Sequence, residues 1–387
     1  MVEQEIDVLC DAAGLLADDL DAAADLEVVD RFRVNVWRVA VRGGSRDVPP
    51  TVIVRAGPDR VSDPRSQPGD GLRWHEVFAN EVAGTRFLAE LTELEGRVPV
   101  ELAGDVDRQV LVSQDLGTGP SVADVLLADD RDRALALLEQ HAAMLGDVAS
   151  ASFGKTDRYA VIRSDCGPPA SPHNLRPTGD APLHRFLDGF ARDVGVVPAD
   201  DVDDEVARIV SAAATPPSDW TAYSPADACP DNNVVTEDGR LAMFDFGYGA
   251  VRHLGLDTTY FSLPFPTCWC YAPLPQNLRS HLLETYRTAV GQRVPAVRDD
   301  DAWTTAVAWA AAAWFIDWIV AVAIAEDTRE RQRGPLSGKA AVASQVATVA
   351  EVIAPVYGAL SELASRTAAS LQARWGITEV PTYPALR

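Results

Sequence analysis

The chain has 387 residues, of which 47% are hydrophobic and 24% are charged, and these proportions exclude a mainly disordered protein. Its 34 Lys and Arg against 57 Asp and Glu give a formal net charge of −23, which argues against a nucleic-acid partner because such partners need basic surfaces. A negative surface can attract a cationic small ligand. The alternative is that the negative charge serves only to keep the protein soluble.

The first third of the chain has the pattern of a helix followed by a small sheet. Residues 4–25 predict an amphipathic helix, and β-branched content predicts strands after it. We therefore expect an N-terminal helix within 1–25 and a β-rich lobe with its hinge over 26–117. The predicted strands lie within 26–30, 34–43, 49–57, 97–104 and 108–117, with a polar loop over 58–73 and one inserted helix over 74–91.

The sequence is mainly helical from residue 118 onward, and we expect a second lobe over 118–387. Ser121 and Asp132 are the expected N-caps of its first helices. The turn signal "EDGR" between "NNVVT" and "LAMFDF" predicts one hairpin embedded among the helices. The other predicted helices lie within 121–152, 183–195, 202–214, 278–290, 301–327 and 338–374, with a basic flexible connector over 330–339. The predicted fold class is α+β.

The longest apolar stretch, residues 306–325, is long enough to span a bilayer. Asp317 lies inside it and three tryptophans are spread along it, which favours a buried helix of a protein without a membrane partner. The N-terminus is acidic and lacks the positive start of a signal peptide. We therefore expect a cytoplasmic enzyme.

The cysteine pattern predicts neither a disulfide framework nor a zinc ribbon, because no two cysteines have C-x-x-C spacing. In an extended segment, "CWC" would place two thiols on one side. With only six scattered histidines, we expect these thiols to be buried in packing and not to bind metal. The five cysteines are Cys10, Cys166, Cys229, Cys268 and Cys270.

Three oxygen-bearing side chains surround the predicted hairpin, namely Asp227, Asn232 and Asp245. Asp227 and Asn232 share a loop that contains Pro230, and the hairpin returns Asp245 towards Asn232. Mg²⁺ takes one or two carboxylates and completes its shell with water and substrate phosphates. The pattern predicts a site for magnesium and a nucleotide phosphate. The alternative is three ordinary polar residues beside a hairpin.

The same residues resemble a known family. D-x-x-x-x-N at 227–232, followed by D-F-G at 245–247 after a β-rich lobe, looks like the protein-kinase-like superfamily. More narrowly, it resembles the aminoglycoside phosphotransferase and choline/fructosamine kinase group. The resemblance implies a bilobal protein-kinase-like fold, in which a five-stranded antiparallel lobe with one helix precedes a mainly helical lobe carrying the catalytic hairpin.

By this resemblance the chain is a kinase that uses ATP or GTP with Mg²⁺. Asp227 is implied to be the catalytic base, and Asn232 and Asp245 the metal ligands. Arg55 of the third strand is implied to contact the phosphates while Glu81 of the front-lobe helix pairs with it.

The segment "LVSQDLG" resembles the hinge between the lobes of that family, where backbone groups bind the nucleotide base. The implied base-binding residues are Gln114, Asp115 and Leu116. Together with Arg55 they form the expected nucleotide site.

The acceptor is expected over the helical lobe, where an acidic and aromatic cleft would favour an amine-bearing metabolite or antibiotic. Such an acceptor would indicate a kinase of metabolism or of antibiotic resistance. The alternative is that these aromatic and acidic residues serve only the packing of the helical lobe. Asp257 is expected to brace the catalytic loop rather than to touch substrate. The candidates are Asp231, Asp257, Trp269, Tyr271 and Asp317. The sequence leaves the acceptor, the choice of ATP or GTP, and the choice of monomer or homodimer open.

Three departures from the family pattern raise an alternative function. Arg55 stands where the family has Lys, and Pro225 and Ala226 stand where it has His-Gly. The first hairpin turn, "DRFRVN" at 30–35, has no glycine. The alternative is therefore a catalytically weakened or inert protein that binds a nucleotide or a small molecule.

Overall fold

The computed structural model describes residues 2–20, 25–43, 49–61, 71–167, 188–214, 216–328 and 332–387. Parts of four predicted features lie outside these residues. They are the end of the helix within 4–25, most of the loop over 58–73, the start of the helix within 183–195 and the start of the connector over 330–339.

A five-stranded antiparallel sheet with the order β1-β2-β3-β5-β4 forms the N-terminal lobe, which confirms the predicted architecture. Helix α2 is inserted between β3 and β4, as the sequence pattern predicts. The elements are α1 (Val2–Leu20), β1 (Asp25–Arg33), β2 (Val36–Arg42), β3 (Thr51–Ala56), α2 (Gly71–Ala89), β4 (Glu101–Asp105) and β5 (Val110–Gln114).

One face of this sheet is covered by α1. Trp37 and Val39 of β2 and Val52 and Val54 of β3 are buried in the same cluster as Leu16 of α1. Side chains alternate along a strand, so these residues share one face. The N-terminal helix therefore packs as part of this lobe.

The opposite face of the sheet turns towards the C-terminal lobe. By the same alternation, Arg38 of β2 and Arg55 of β3 lie on this face. Arg38 donates to Asp115, which follows β5, and Arg55 is paired with Glu81 of α2. The sheet therefore presents two guanidinium groups to the cleft between the lobes.

Helix α2 connects the core of the sheet lobe to that of the helical lobe. Phe78 and Val82 on one side and Phe87 on the other are all buried, so this helix packs on two faces. Phe87 contacts the rings of Tyr159 and Tyr223. Glu81 is therefore held on a helix with little freedom to move.

The C-terminal lobe is mainly helical with short hairpins, again as predicted. Its helices are α3 (Val122–Leu127), α4 (Arg131–Ser152), α5 (Thr156–Asp165), α6 (Asp201–Ala214), α7 (Thr259–Ser262), α8 (Gln276–Val290), α9 (Asp300–Thr328), α10 (Gly338–Ile353) and α11 (Gly358–Trp375). Its strands are β6 (Thr221–Ser224), β7 (Asn233–Val235), β8 (Leu241–Met243), β9 (Ala250–His253), β10 (Gln332–Arg333) and β11 (Leu336–Ser337).

Several boundaries differ from the predictions for local reasons. Ser121 caps α3 in a capping box as expected, but Asp130 rather than Asp132 caps α4. The single helix predicted over 338–374 is two helices, because Pro355 lies between them and cannot continue a helix. The described part of the predicted helix within 183–195 contains a π-helical turn, Phe190–Val194. The described part of the connector is the β10–β11 hairpin.

Helix α9 contains the predicted apolar stretch. Its segment Asp300–Val320 is long and apolar enough to cross a membrane by length and composition, but 78% of the apolar window is buried inside the protein. Phe315 and Ala312, for example, are fully buried. Burial to this extent is typical of a helix in the core of a protein, as the sequence analysis predicts.

We predict that Leu16→Ala lowers the free energy of unfolding by about 2–5 kcal/mol, because it leaves a cavity between α1 and the sheet. Ile6→Ala on the same helix is the matched control, since Ile6 is 53% exposed and Leu16 is 0% exposed. Denaturant unfolding of both variants measures the difference. Equal effects would contradict the packing of α1 on the sheet.

Candidate active site

Two short antiparallel pairs bring the ends of the predicted catalytic segment together. Strand β6 pairs with β9, so that Ser224 lies opposite Ala250, and β7 pairs with β8 inside that closure. The Phe244 N–H donates to the Asn232 carbonyl at 3.1 Å. Asn232 precedes β7 and Asp245 follows β8, so the hairpin places both at one end. The sequence pattern predicts the β7–β8 hairpin but not the β6–β9 pair.

Asp227 is held by its neighbours in a strained loop. Ala226 has φ of 60°, a left-handed value that a residue with a Cβ rarely adopts. Its N–H donates to Ser224 Oγ at 3.0 Å, and Asn232 Nδ2 donates to the Asp227 carbonyl at 2.8 Å. These bonds hold the backbone on both sides of the Asp227 side chain, which lines a cavity. Strain of this kind is common at functional sites.

The surroundings of Asp227 favour its protonated form. Burial, then the nearby carboxylates of Asp245 and Asp231, raise the pKa of Asp227 to about 6, and Arg33 opposes the rise. A carboxylate with a pKa in this range can accept a proton near neutral pH. The site therefore contains a group suited to general-base chemistry.

Asp245 forms ion pairs with two arginines. Arg55 Nη2 lies 3.4 Å from its Oδ1, and Arg33 Nη2 lies 3.2 Å from its Oδ2. Arg55 Nη2 also lies 3.3 Å from Glu81 Oε1. The structure thus brings Arg55, Glu81 and Asp245 together, and the Arg55–Glu81 contact is the pairing that the resemblance implies. Arg33 was missed because its contact depends on how the first hairpin folds over the cleft.

Glu81 is almost completely buried beside this ion pair. Burial raises the pKa of Glu81, and the guanidinium of Arg55 opposes that rise. Removing Arg55 would leave the carboxyl group buried without its cationic partner, which is strongly unfavourable.

The side chain of Arg38, on β2, forms hydrogen bonds to the segment predicted as the hinge. Arg38 donates to both carboxylate oxygens of Asp115, at 2.8 and 3.0 Å, and to the Gly117 carbonyl at 2.6 Å. The Gln114 N–H donates to the Val100 carbonyl at 2.8 Å. The Asp115 side chain and the Gln114 N–H therefore already have partners. Leu116 lies between Asp115 and Gly117, within the same closed segment.

A cavity of about 570 Å³ lies between the catalytic loop and the helical lobe. Of the predicted acceptor residues, Asp231, Trp269 and Asp317 line it. The Trp269 Nε1–H donates to Asp231 Oδ2 at 2.7 Å. Further along the wall, α9 contributes Trp314 and Trp318. The cavity therefore has both aromatic and acidic walls.

Two other predicted acceptor residues lie behind the cavity wall. Asp257 has 0% exposure and accepts from Arg252 Nη2 at 2.6 Å and from Ser224 Oγ at 2.5 Å. This is the bracing position that the sequence analysis expects. Tyr271 is fully buried with its hydroxyl 3.0 Å from Ser344 Oγ, so its placement on the acceptor wall is wrong.

A disulfide joins the loop of Asp227 to the wall of the cavity, contrary to the expectation from cysteine spacing. Cys229, between Asp227 and Asn232, is bonded to Cys268 across a sequence separation of 39. The fold creates this pairing, and spacing along the chain carries no sign of it. Cys270 is a buried free thiol, as predicted for packing. Disulfides are typical of oxidising compartments and rare in the cytosol.

His141 of α4 supports the catalytic loop from within the core. Its Nε2 lies 3.1 Å from the Ala228 carbonyl, and its Nδ1 lies 3.5 Å from Asn233 Nδ2. Burial lowers the pKa of His141 to about 4, so the ring is neutral at pH 7 and donates to the carbonyl. The family motif has a bracing histidine where this chain has Pro225. A single sequence gave no signal that a distant histidine supports this loop.

The oxygen atoms of the site fit a magnesium ion. The amide nitrogen of Asn232 is engaged by the Asp227 carbonyl, which leaves its oxygen to act as a ligand. Asp245 supplies a carboxylate, and Asp227 lies close enough for its pKa to respond to Asp245. One or two carboxylates plus an amide oxygen is a suitable set of protein ligands for Mg²⁺. The guanidinium groups of Arg33 and Arg55 already contact Asp245 and would compete with a magnesium ion for its carboxylate.

Comparisons with known proteins find similarity only at the level of structure. No family model matches the chain, and no curated protein matches its sequence. Choline kinase LicA from Streptococcus pneumoniae aligns at 11% identity, over 87% of this chain and 93% of that one, with a TM-score of 0.43. Plasmodium vivax ethanolamine kinase aligns at 9% identity, over 89% and 84%, with a TM-score of 0.44.

A spectinomycin phosphotransferase in complex with ADP and spectinomycin aligns at 10% identity, over 92% of this chain and 98% of that one, with a TM-score of 0.42. These proteins are small-molecule phosphotransferases of the group that the sequence motifs resemble. Likenesses at such identities and TM-scores say nothing about what this chain binds or catalyses.

We predict that Asp227→Asn stabilises the metal-free protein at pH 8. The folded pKa of about 6 lies above the ordinary value of 3.8, so the stability associated with the neutral carboxyl is complete below about pH 4 and is lost as pH rises through 6. The variant stays neutral, so it should exceed the wild type by about 1–3 kcal/mol at pH 8 and equal it near pH 4.

Denaturant unfolding with a chelator present, repeated across this pH range, measures the difference. Asp129→Asn, at an exposed position, is the control and should show no such pH-dependent gain. A gain that is the same at pH 4 and pH 8 would contradict the raised pKa.

We predict that Cys229→Ala combined with Cys268→Ala lowers the free energy of unfolding by about 2–4 kcal/mol, because the bond constrains the unfolded chain. A reductant should destabilise the wild type by a similar amount and leave the double variant unchanged. Melting temperatures with and without reductant measure both effects. Alkylation of all five cysteines in denatured, non-reduced wild-type protein would contradict this prediction, because the disulfide leaves three free thiols, Cys10, Cys166 and Cys270.

Proposed function

We propose that the protein is a phosphotransferase that moves the terminal phosphate of ATP or GTP to a hydroxyl group of an amine-bearing small molecule. The observation that carries the proposal is the position of Asp227. Its carboxyl group has a raised pKa, lies at the end of an aromatic and acidic cavity, and is adjacent to the oxygen ligands Asn232 and Asp245. Phosphoryl transfer depends mainly on positioning and charge stabilisation, and these residues supply both.

In this proposal Asp227 orients the acceptor hydroxyl and takes its proton. Its raised pKa makes it a stronger base than an ordinary aspartate, and the bonds to its loop hold it in one direction. The hydroxyl oxygen forms a bond to the terminal phosphorus as the bond to the leaving diphosphate oxygen breaks. The Ser224–Asp257–Arg252 contacts hold the loop in place beneath it.

The nucleotide would lie between the lobes. Arg55, oriented by Glu81, faces the cleft from the sheet and supplies positive charge for the phosphates. Asn232 and Asp245 would hold magnesium, which when bound neutralises charge on the phosphate oxygens. The base would lie against Gln114, Asp115 and Leu116, which requires the Arg38–Asp115 contact to adjust.

The acceptor would occupy the cavity beside Asp227. Trp269, Trp314 and Trp318 offer aromatic faces that attract a cation, and Asp231 and Asp317 supply acidic groups. The net charge of −23 also favours approach of a cationic acceptor. This combination supports an amino sugar, an amine-bearing antibiotic or another alkanolamine-like metabolite.

One observation favours the alternative, a kinase-like protein with weakened or no catalysis. Arg38 forms three hydrogen bonds at the hinge, in the place where the nucleotide base is expected. Arg55 and Pro225 also depart from the family pattern. Such a protein would bind a nucleotide or a small molecule without transferring phosphate.

We predict that Asp227→Asn lowers kcat by about 10²–10⁴-fold, because it removes the base and keeps the shape of the side chain. Phosphate transfer from ATP and from GTP to a panel of amine-bearing alcohols, followed by mass spectrometry of the product, measures the effect. Asp129→Asn is again the control and should keep wild-type turnover.

A melting shift with Mg-nucleotide, measured together with phosphate transfer, separates the two candidate functions. A nucleotide at about a hundred times its Kd stabilises the folded state by about 2.7 kcal/mol. Wild-type turnover by Asp227→Asn would refute its role as the base. A melting shift without transfer to any acceptor would support the binding protein instead.

A further inference from the structure

Arg33 is the last residue of β1 and points from the first hairpin into the cleft. Its guanidinium lies 3.2 Å from Asp245 Oδ2 and lines the cavity that contains Asp227 and Asn232. Arg33 therefore contacts both the cavity and the Asp245 carboxylate.

The two arginines on Asp245 differ in how firmly they are held. The Arg55 side chain is 15% exposed and is also paired with Glu81. The Arg33 side chain is 55% exposed, and its recorded ion pair is with Asp245. The Asp245 side chain is 13% exposed, but the Arg33 guanidinium is open to water, so its contact is the more easily exchanged of the two, whereas the buried Arg55 contact is costly to break. Arg33 is thus the cation that can leave when another cation approaches Asp245.

The backbone next to Arg33 is anchored, so an exchange involves the side chain and not the hairpin. Asn35 accepts from the Ala56 N–H at 2.9 Å and donates through its Nδ2 to the Ala56 carbonyl at 2.9 Å. Arg33 also pairs with Val36 in the β1–β2 register. The guanidinium at the end of this long side chain can change partner while its Cα stays in place.

Once the Arg33 guanidinium leaves the Asp245 carboxylate, it can pair with the phosphate oxygens of a triphosphate bound beside it. Arginine binds phosphate oxygens through two parallel N–H groups, and this contact is charge-assisted. The first hairpin has no glycine in "DRFRVN" to bring its backbone close to phosphates. A side chain that reaches from the same hairpin can make that contact instead.

We propose that Arg33 covers Asp245 while the nucleotide site is empty and contacts the terminal phosphates once a nucleotide and its metal are bound. This inference rests on the proposed function and adds a phosphate-contacting residue to it. It has two separable consequences. Arg33 competes with a free divalent cation for Asp245, and it contributes affinity for triphosphates but not for monophosphates.

The first consequence is tested with Mn²⁺ alone, titrated into the nucleotide-free protein and followed by its paramagnetic resonance signal. Arg33→Ala should bind Mn²⁺ about tenfold more tightly than the wild type, because a competing charged partner is gone. Arg33→Lys should lie between the two. Arg31→Ala is the matched control, since Arg31 lies on the same strand, is 50% exposed and pairs with Glu5 instead of Asp245.

The second consequence is tested with non-hydrolysable ATP and GTP analogues, with AMP and GMP for comparison. Arg33→Ala should weaken binding of the triphosphate analogues in the presence of Mg²⁺ by about tenfold, and should leave monophosphate affinity unchanged. Arg31→Ala should change neither. Thermal unfolding without ligand confirms that both variants are folded.

Equal Mn²⁺ affinity in Arg33→Ala and Arg31→Ala overturns the inference, as does an equal loss of monophosphate and triphosphate binding. If the wild type binds triphosphates and the Mn²⁺ affinity is unaffected by Arg33→Ala, the inference about Arg33 fails alone. If the wild type binds no triphosphate at all, the proposed function fails, and the phosphate contact fails with it.

Discussion

The ion pairs of Arg55 connect three elements that carry residues of the candidate site. The arginine belongs to the sheet, Glu81 belongs to the helix that crosses to the second lobe, and Asp245 belongs to the hairpin of that lobe. A buried cation between two carboxylates is stable only while both remain in place. The relative position of the lobes and the direction of Asp245 are therefore fixed by the same contact. A planar guanidinium suits this task, because it can face two carboxylates at once.

The catalytic loop concentrates unfavourable features that the surrounding core tolerates. Ala226 and Asp245 both have left-handed backbone angles, with φ of 60° and 69°, and Asp227 is a carboxylate close to two others. Each feature costs stability on its own. The neutral ring of His141 beneath the loop and the two short strand pairs around it keep the loop in this conformation. A stable scaffold around a strained and charged loop is the arrangement expected of a reactive site.

Much of this architecture was predictable because it depends on residues that are close in sequence. Asn232 and Asp245 lie at one end of a single hairpin, so a turn signal between two short strands was enough to predict that they would be close. Strands β2 and β3, likewise, were predictable from their content of β-branched residues. Pairing of Arg55 with Glu81 was expected only through the family resemblance.

The remaining features depend on contacts between distant segments. Arg33 reaches Asp245, Cys229 reaches Cys268 and His141 reaches Ala228 only after the chain has folded. The directions of neighbouring side chains were also hidden, as Trp269 faces the cavity while Tyr271, two residues later, is buried. Capping was ambiguous because Asp130 and Asp132 are separated by only one residue and each is a good cap by residue type.

The three indole rings around the cavity give the molecule a built-in optical reporter. Trp269 is 52% exposed and Trp318 is 45% exposed, whereas Trp314 is buried at the same wall. A molecule that enters the cavity would displace water from the two exposed rings and would lie beside the hydrogen bond between Trp269 and Asp231. Indole emission is sensitive to such changes in its surroundings. Natural compounds can therefore be screened for occupancy of this cavity through the protein's own fluorescence, without a label and without knowledge of the reaction.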